Sequence, residues 1–309
     1  MTEPDALDPS TTPPPTTIGP RTFRWGERTF VMGIINVTPD SFSGDGVLID
    51  SGTTGAADAD ADPVRRAVLQ ARHMVAGGAD LLDVGGESTR PGHEAVPVAE
   101  ELRRVVPVIS AIRAALPEIP LSVDTTKPSV AEAALDAGAD LINDVWGVGA
   151  NEDLPRLAAA RRVPLVVMHN RDEPRYRDLM PEIIDDLRLA LDRAQRLGVA
   201  SDDLIVDPGF GFGKTAEHNL HLLRELGQLR ALGRPILLGA SRKSTLGRVL
   251  DVGPAERLEA TLATTAIAIA GGADLVRVHD VRENVRAARI ADAIIRGNWR
   301  AEPVEGGPS

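Results

Sequence analysis

The sequence contains no cysteine, which excludes disulfide bonds and thiolate metal sites. Aromatic residues make up only 3% of the 309 residues, whereas hydrophobic residues make up 43%. A sizeable core must therefore be built from aliphatic side chains. No apolar run approaches the roughly 20 residues of a membrane-spanning helix, and the amino terminus lacks the basic and apolar segments of a signal peptide. We therefore expect a soluble protein of the cytoplasm.

The chain also lacks an excess of positive charge, since its net charge is −11 at pH 7. A surface that binds nucleic acid requires a basic face, so we expect no nucleic-acid partner. The net acidity does not exclude a small anionic ligand, because local arginines, lysines and helix amino termini decide whether such a ligand binds.

The two ends of the chain differ in composition from the body. Residues 1–22 are rich in Pro, Thr and Asp and predict a disordered tail. Residues 300–309 predict a flexible carboxyl terminus. The body, residues 23–299, contains no segment long enough to be a linker and predicts a single domain. Within it, the acidic stretch 50–62 predicts an enlarged surface loop.

Short apolar runs alternate with helical patterns throughout the body. We predict strands near residues 30–35, 80–84, 121–124, 140–143, 164–168, 203–206, 235–239 and 274–278. We predict helices near residues 63–76, 98–115, 128–137, 152–161, 179–197, 216–226, 256–271 and 282–296. Eight of each indicate an α/β fold of the (β/α)8 TIM barrel type, and not an open sheet.

The tripeptide Gly-Ala-Asp recurs at residues 78–80, 138–140 and 272–274. Each copy ends a predicted helix and begins a predicted strand, and glycine suits the left-handed conformation that follows many helices. Any one copy is a common α/β loop. Three copies in the same role favour repeated βα units.

The predicted strands end on polar residues. The strand-end residues are Asn36, Asp83, Asp124, Asn143 and Asp207, followed by Ser241-Arg242-Lys243 and Arg277-Val278-His279 after the last two strands. In a parallel barrel all carboxyl ends of the strands lie on the face that holds the active site. The sequence therefore predicts a polar pocket on that face.

Several of these segments also have a simpler structural explanation. Capping by Asp40 accounts for segment 36–43 taken alone, and a surface loop with a solvated Arg90 accounts for segment 83–92. Asp124 is harder to explain in this way, because a buried acid on a strand needs partners. Arg277 and His279 lie two residues apart, so they share one face of a strand and could bind an anion.

Other chemistries fit the sequence poorly. Gly213-Lys214-Thr215 is similar to the end of a nucleotide P-loop, but Pro208 stands where that motif requires glycine. No pair of histidines has the helical spacing of a zinc site, and no Gly-x-Ser-x-Gly elbow is present. Asp124 and Asp207 could form a glycosidase pair, but the accompanying Asn, Lys, Arg and His residues fit an anionic, nitrogen-rich ligand better.

Seven segments together carry a family resemblance that covers residues 30–297. They read MGIINVTPDSFS at 32–43, DVGGESTRPG at 83–92, SVDTTKP at 122–128, NDVWG at 143–147, DPGFGFGKT at 207–215, GASRK at 239–243 and RVHDV at 277–281. This ordered set resembles the dihydropteroate synthases of folate biosynthesis, a family of pterin-binding enzymes. The resemblance implies a transferase that joins 6-hydroxymethyl-7,8-dihydropterin diphosphate to 4-aminobenzoate and releases pyrophosphate. It also implies Mg²⁺ as cofactor, and a homodimer.

The resemblance assigns roles to individual residues. The pterin is held by Asp124, Asn143, Asp207 and Lys243. The diphosphate is held by Thr89, Arg90, Arg277 and His279, and Mg²⁺ by Asn36 together with the diphosphate. The aminobenzoate site is walled by Phe42, Pro91 and Phe212, with Ser241 near its carboxylate. The residues with catalytic roles are Asp124, Asp207, Lys243, Arg277 and His279.

Three features depart from the family pattern. Residues 43–46 read Ser-Gly-Asp-Gly where an acid usually precedes two glycines, and the 50–62 insertion follows. Both bear on how the first loop closes and contacts Mg²⁺. Thr126 stands where an aromatic residue is common. Two alternatives remain open: a methyltetrahydrofolate methyltransferase domain, whose substrate carries no diphosphate, and a catalytically silent pterin-binding paralogue.

Overall fold

The computed structural model describes residues 12–37, 62–87, 96–147, 149 and 152–299. Eight parallel strands form one sheet. The sheet closes on itself where Val206 forms a bridge with Ile236. This closure confirms the predicted (β/α)8 barrel.

The strands are β1 (Thr16–Ile18), β2 (Arg21–Phe23), β3 (Phe30–Asn36), β4 (Leu81–Gly85), β5 (Leu121–Asp124), β6 (Leu141–Asp144), β7 (Leu165–Met168), β8 (Leu204–Asp207), β9 (Leu237–Leu238) and β10 (Leu275–Val278). The helices are α1 (Pro63–Ala76), α2 (Val98–Ala115), α3 (Pro128–Asp136), α4 (Asp153–Arg161), α5 (Leu179–Arg196), α6 (Ala216–Arg224), α7 (Ser244–Leu250), α8 (Leu258–Ala270) and α9 (Val281–Ile295).

The barrel strands follow the order β8-β7-β6-β5-β4-β3-β10-β9 in the sheet. Each predicted barrel strand and helix is present, with ends within two residues of the predicted ones. The sequence analysis missed α7, whose seven residues are too few to show a helical repeat. The three repeated glycines, Gly78, Gly138 and Gly272, have φ values of 101°, 112° and 91°. The left-handed role predicted for them is therefore confirmed.

Side chains alternate along each barrel strand, so the core has two layers. The larger layer lies between the sheet and the surrounding helices. The smaller layer fills the amino-terminal half of the barrel interior with side chains such as Leu81, Leu141, Ile205 and Leu275. Because these residues stand near the beginning of their strands, the carboxyl-terminal half of the interior is left to other side chains.

The amino-terminal segment corrects one prediction. Residues 12–22 are not a disordered tail, because β1 and β2 pair as an antiparallel hairpin. Ile18, Phe23 and Trp25 belong to the smaller core layer, and Trp25 Nε1 donates to Thr16 Oγ1 at 3.0 Å. A few large apolar side chains suffice here because they cover the amino-terminal end of the barrel, where the smaller core layer lies. Residues 1–11, 50–61 and 300–309 lie outside the described residues.

Candidate active site

A layer of mostly polar side chains lies directly above the apolar layer inside the barrel. Each member stands two residues after an inward-facing residue below it, so it faces the same interior. The members include Asp83, Asp124, Asn143, Met168, Asp207 and Arg277. All of them except Arg277 are buried. The structure therefore brings the predicted strand-end residues together at the carboxyl ends of the barrel strands.

Arg277 on β10 joins two of these acids. Its Nε donates to Asp83 Oδ2 at 2.5 Å and its Nη2 to Asp124 Oδ2 at 2.7 Å. Asn143 Nδ2 donates to the same Asp83 oxygen at 3.0 Å. Charge-assisted hydrogen bonds of this kind fix geometry as well as adding energy. The four side chains come from β4, β5, β6 and β10, so one network spans half of the barrel.

Asp83 is a site residue to which the sequence analysis gave no role. Its position at a strand end beside the other acids was the available signal. Asp83 Oδ1 and Asp124 Oδ1 are buried and accept no hydrogen bond from any described residue. Buried carboxylate oxygens normally have partners. These two oxygens are therefore suited to accept hydrogen bonds from a ligand.

Burial raises the pKa of both acids of the predicted pterin site. The pKa of Asp124 rises to about 7 because the carboxylate is desolvated, although Arg277 opposes the shift. The pKa of Asp207 rises to about 6 for the same reason, opposed by the hydrogen bond that Gly209 N–H donates to Asp207 Oδ1 at 2.7 Å. A ligand that donates hydrogen bonds would favour the charged forms of both acids.

Lys243 and Phe212 lie together at the edge of the acidic layer. Lys243 Nζ is 3.8 Å from the centroid of the Phe212 ring, within the range of a cation–π contact. The charge of Lys243 also lowers the pKa of Asp124 and of Asp207. These contacts bring two further predicted site residues to the same end of the barrel.

Ser241 and His279 form a pair next to this layer. His279 N–H donates to Ser241 Oγ at 3.2 Å, and Ser241 Oγ lies 3.0 Å from His279 Nδ1. Arg242 is engaged elsewhere, in an ion pair with Asp280 at 2.5 Å. The hydroxyl of Ser241 therefore orients the ring of His279. The predicted contact of Ser241 with an aminobenzoate carboxylate stays a prediction.

Asn36 ends β3 on the same rim. Its side chain is half-buried and hydrogen-bonds to none of the described residues. The described part of the chain contains no group of three or more His, Asp or Glu side chains that could hold a metal ion. Four predicted site residues, Phe42, Thr89, Arg90 and Pro91, lie outside the described residues.

The structure adds a buried pair that the sequence analysis left without a function. Lys214 Nζ lies 3.0 Å from His169 Nδ1, behind the Asp207 segment. The sequence analysis considered Lys214 only as part of a possible P-loop, and that motif does not show that the side chain points inward.

None of the helices in the described ranges is long and apolar enough to span a membrane.

Comparisons with known proteins show the family to which the chain belongs. A profile of the family described as pterin binding enzyme matches residues 32–279. The chain is 48% identical over 280 residues to the dihydropteroate synthase of Clostridium beijerinckii, covering 90% of this chain and 99% of that one. It is 46% identical over 276 residues to the dihydropteroate synthase of Bacillus subtilis, covering 89% of this chain and 92% of that one.

Solved structures show the same similarity. The dihydropteroate synthase of Xanthomonas albilineans with 4-aminobenzoic acid superimposes with a TM-score of 0.81 at 42% identity, covering 92% of this chain and 98% of that one. The same enzyme in complex with 7,8-dihydropteroate superimposes with a TM-score of 0.78 at 40% identity, covering 91% and 98%.

Proposed function

Because the chain belongs to the family of pterin-binding enzymes, we propose that it catalyses the dihydropteroate synthase reaction. It transfers the pterinylmethyl group of 6-hydroxymethyl-7,8-dihydropterin diphosphate to 4-aminobenzoate, giving 7,8-dihydropteroate and pyrophosphate. The observation that carries this proposal is the buried layer of Asp124, Asn143 and Asp207 beside Lys243. Buried acids and an amide beside a cation match the hydrogen-bonding edge of a pterin.

Recognition of the pterin follows from its pattern of donors and acceptors. The ring presents a guanidine-like edge of N–H groups, which carboxylates accept in pairs. Asp207 and Asp124 accept from this edge, and Asn143 supplies both a donor and an acceptor. Lys243 donates to acceptor atoms of the ring, and its ammonium already lies against Phe212.

The leaving group needs positive charge at the mouth of the same pocket. Arg277 uses Nε and Nη2 for Asp83 and Asp124, and its Nη1 donates to no acceptor among the described residues. This remaining donor is suited to an oxygen of the diphosphate. His279, oriented by Ser241, lies two residues along the chain. The contacts of Thr89 and Arg90 with the diphosphate remain part of the proposal.

The chemistry is a displacement at the pterin methylene. The bond from the methylene carbon to oxygen breaks with its electrons going to pyrophosphate, and the electron-rich pterin ring stabilises the positive charge left on the carbon. The arylamine nitrogen then forms the new bond and loses a proton. Cationic side chains that neutralise the departing oxygen lower the barrier. No nucleophile from the protein is required.

Mg²⁺ is the proposed cofactor. Asn36 fits this role as a single oxygen ligand, because its amide is unengaged among the described residues and Mg²⁺ usually takes one or two protein ligands together with waters and phosphate oxygens. When bound with the diphosphate, the ion supplies further charge neutralisation on the leaving group. The side-chain amide oxygen of Asn36, at the end of β3, would hold the ion.

We further propose a homodimer in the cytoplasm. Helices α8 and α9 pack against each other and carry three exposed isoleucines, Ile267, Ile290 and Ile294, which are 52%, 65% and 72% exposed. A symmetric contact would bury such a face in both copies. Light scattering should report a dimer for the wild type and a monomer for Ile290→Glu. A dimer that survives this substitution would contradict the choice of face.

An assay of pyrophosphate release tests the proposed activity. Release is expected only when the pterin diphosphate, 4-aminobenzoate and Mg²⁺ are all present. Release that ignores 4-aminobenzoate, or binding of the pterin without any release, would contradict the proposal. The second outcome would favour a silent pterin-binding paralogue. Methyl transfer from methyltetrahydrofolate would favour the methyltransferase alternative.

A further inference from the structure

Lys214 is a buried cation that the proposed chemistry does not use. Its Nζ contacts three acceptors: His169 Nδ1 at 3.0 Å, the carbonyl of Gly209 at 3.1 Å and the carbonyl of Phe212 at 3.1 Å. An ammonium group has three N–H donors. The three acceptors around Nζ therefore match the three N–H donors of the protonated side chain.

The second nitrogen of His169 supports the same assignment. His169 Nε2 lies 3.2 Å from Asp186 Oδ2, and this carboxylate is also held by Arg171. A carboxylate accepts, so Nε2 carries the proton and Nδ1 is left as the acceptor for Lys214. Burial keeps the imidazole neutral by lowering the pKa of His169 to about 3.

The two carbonyls that Lys214 binds belong to the turn that carries Phe212. In this turn, residues 209–213, Phe212 N–H donates to the carbonyl of Gly209 at 3.1 Å. Gly209 N–H in turn binds Asp207 Oδ1. Gly209, Gly211 and Gly213 all have positive φ values, and a Cβ on Gly209 would lie 1.8 Å from the carbonyl oxygen of His169. The turn is packed closely. Its conformation requires glycines, however, and glycine loses more conformational entropy on folding than any other residue.

We infer that Lys214 is a positioning residue for the aminobenzoate subsite: its ammonium holds the 209–213 turn and, through it, the ring of Phe212. This inference rests on the proposed function and on the wall of the aminobenzoate site that the family resemblance assigns to Phe212. Deprotonation of Lys214 would leave only two N–H donors for three acceptors, so one carbonyl of the turn would lose its partner. The turn would then loosen.

The environment of Lys214 brings its deprotonation into a pH range in which the protein can be studied in solution. Burial lowers the pKa of Lys214 to about 7. The charged and titratable groups that face it from the neighbouring elements are His169, Asp207, Arg171, Asp186 and Lys243. Asp207 and Asp186 favour the ammonium, while burial, Arg171 and Lys243 oppose it.

Two substitutions and one control separate positioning from simple space-filling. Lys214→Met keeps the length of the side chain and removes the donors. Lys214→Arg keeps a charge that does not titrate. The control is Thr215→Ala, since Thr215 Oγ1 accepts from His218 N–H and caps α6 next to Lys214. It removes a cap without touching any contact of Nζ.

The kinetic measurement is the KM for 4-aminobenzoate at saturating pterin diphosphate. We expect Lys214→Met to raise this KM by about tenfold, one lost hydrogen-bond anchor, with a smaller effect on kcat. In the wild type KM should rise between about pH 6 and about pH 9, whereas in Lys214→Arg it should stay flat. Thr215→Ala should lower Tm and keep the wild-type KM and pH profile. A wild-type KM and pH profile in Lys214→Met would overturn the inference.

A measurement without turnover keeps the test independent of the proposed function. The chain has only three lysines, at positions 127, 214 and 243, so lysine labelled with ¹³C at Cε gives three assignable signals. Lys214 should titrate near its lowered pKa and Lys127 above the ordinary value, because Lys127 is paired with Glu101 and Glu87. Amide exchange in residues 208–215 should lose protection with the same midpoint, and not in Lys214→Arg.

These readouts distinguish the two possible failures. A wild-type protein that releases no pyrophosphate would contradict the proposed function, while exchange and the lysine spectra would still report on Lys214. If both variants fail to fold, the wild-type data decide. An ordinary pKa for Lys214, or protection of residues 208–215 that is independent of its titration, would refute the positioning role.

Discussion

At the scale of single residues, the site combines buried acids with only partial neutralisation. Arg277 is shared between Asp83 and Asp124, and Asp207 has a backbone donor in Gly209. Burial nevertheless raises the pKa of Asp124 and Asp207. Removing a charged group from water costs free energy that good geometry only partly offsets. The free protein therefore holds acids that gain from a ligand with N–H donors.

Replacing Asp207 tests its contact with the pterin. Asp207→Ala should weaken binding of 6-hydroxymethylpterin by about 100-fold, because charge-assisted hydrogen bonds to the ring are lost. Titration calorimetry measures the affinity, and circular dichroism checks that the barrel is folded. Asp207→Asn keeps the shape and should also bind weakly, since its NH₂ opposes ring donors. Wild-type affinity in either folded variant would contradict the role of Asp207.

Titration of Asp124 should affect stability and binding in opposite directions. Its pKa is raised to about 7 in the folded protein, so between about pH 4 and about pH 7 the folded state binds more protons than the unfolded state. The free energy of unfolding should therefore fall as pH rises through this window. Affinity for a pterin should rise over the same window, because the charged acid is the acceptor.

Urea unfolding of Asp124→Asn and wild type at about pH 5 and about pH 8 measures the stability effect. The variant should gain about 1 kcal/mol or more relative to wild type at the higher pH, and lose affinity for the pterin analogue. Comparison with the wild type at each pH removes the contribution of other groups. A variant that is less stable than wild type by the same amount at both pH values would refute the assignment.

Sequence alone could identify the acids but not their partners. The alternation of strand side chains predicts that Asp124, Asn143 and Asp207 share the barrel interior. It does not predict that Arg277 reaches across to Asp83, because that contact joins residues far apart in the chain and depends on side-chain conformation. The inward orientation of Lys214 escaped for the same reason: its acceptors are a histidine and two carbonyls.

At the scale of the repeated βα unit, the three Gly-Ala-Asp segments have a shared structural role. In each, the Asp carboxylate accepts from the backbone N–H of a residue next to or at the start of a neighbouring strand. The acceptor–donor pairs are Asp80 with Val31, Asp140 with Leu121 and Asp274 with Ile236. Each carboxylate also pairs with an arginine, namely Arg28, Arg113 or Arg230. These contacts lie at the end of the barrel opposite the site, where they serve stability.

Asp140→Ala should therefore destabilise the barrel without affecting the site. Loss of the acceptor leaves Leu121 N–H without this partner and Arg113 without its carboxylate. We expect the free energy of unfolding to fall by about 2 kcal/mol, measured by urea denaturation, with unchanged affinity for a pterin analogue. Asp136→Ala is the control: its surface pair with Arg161 should contribute less than about 0.5 kcal/mol. Equal effects of the two substitutions would contradict this account.

At the scale of the whole molecule, the barrel is closed by packed side chains at the amino-terminal ends of its strands. Phe23, Trp25 and Phe30 pack together there, with ring centroids 4.8 to 5.6 Å apart. Most of the buried aromatic side chains among the described residues therefore lie at this end. The open end contains the polar layer. A hairpin of short strands closes the barrel where no helix does.

Phe23→Ala tests this closure. Removing a fully buried ring should lower the free energy of unfolding by about 3 kcal/mol, while the affinity for a pterin analogue stays unchanged because the site is at the opposite end. Trp299→Ala, at a side chain that is 70% exposed, should have no measurable effect. A neutral Phe23→Ala would show that the hairpin does not contribute to the stability of the barrel.

The barrel itself was predictable because its eight βα units repeat one hydrophobic pattern, as the agreement of β5 and α2 with their predicted bounds illustrates. The hairpin was not, because polar and proline-rich composition outweighed the three large side chains between Ile18 and Trp25. Local composition cannot show that those side chains meet a complementary opening formed by Leu81, Leu141 and other residues distant in the sequence.

The central claim is that the polar layer inside the barrel binds a pterin. A crystal structure of the protein with 7,8-dihydropteroate tests it most directly. The pterin ring is expected within hydrogen-bonding distance of Asp124, Asn143 and Asp207, with its aminobenzoate arm leading past Phe212. A product bound elsewhere on the molecule, with the Arg277–Asp124 pair and the layer unchanged, would contradict the account.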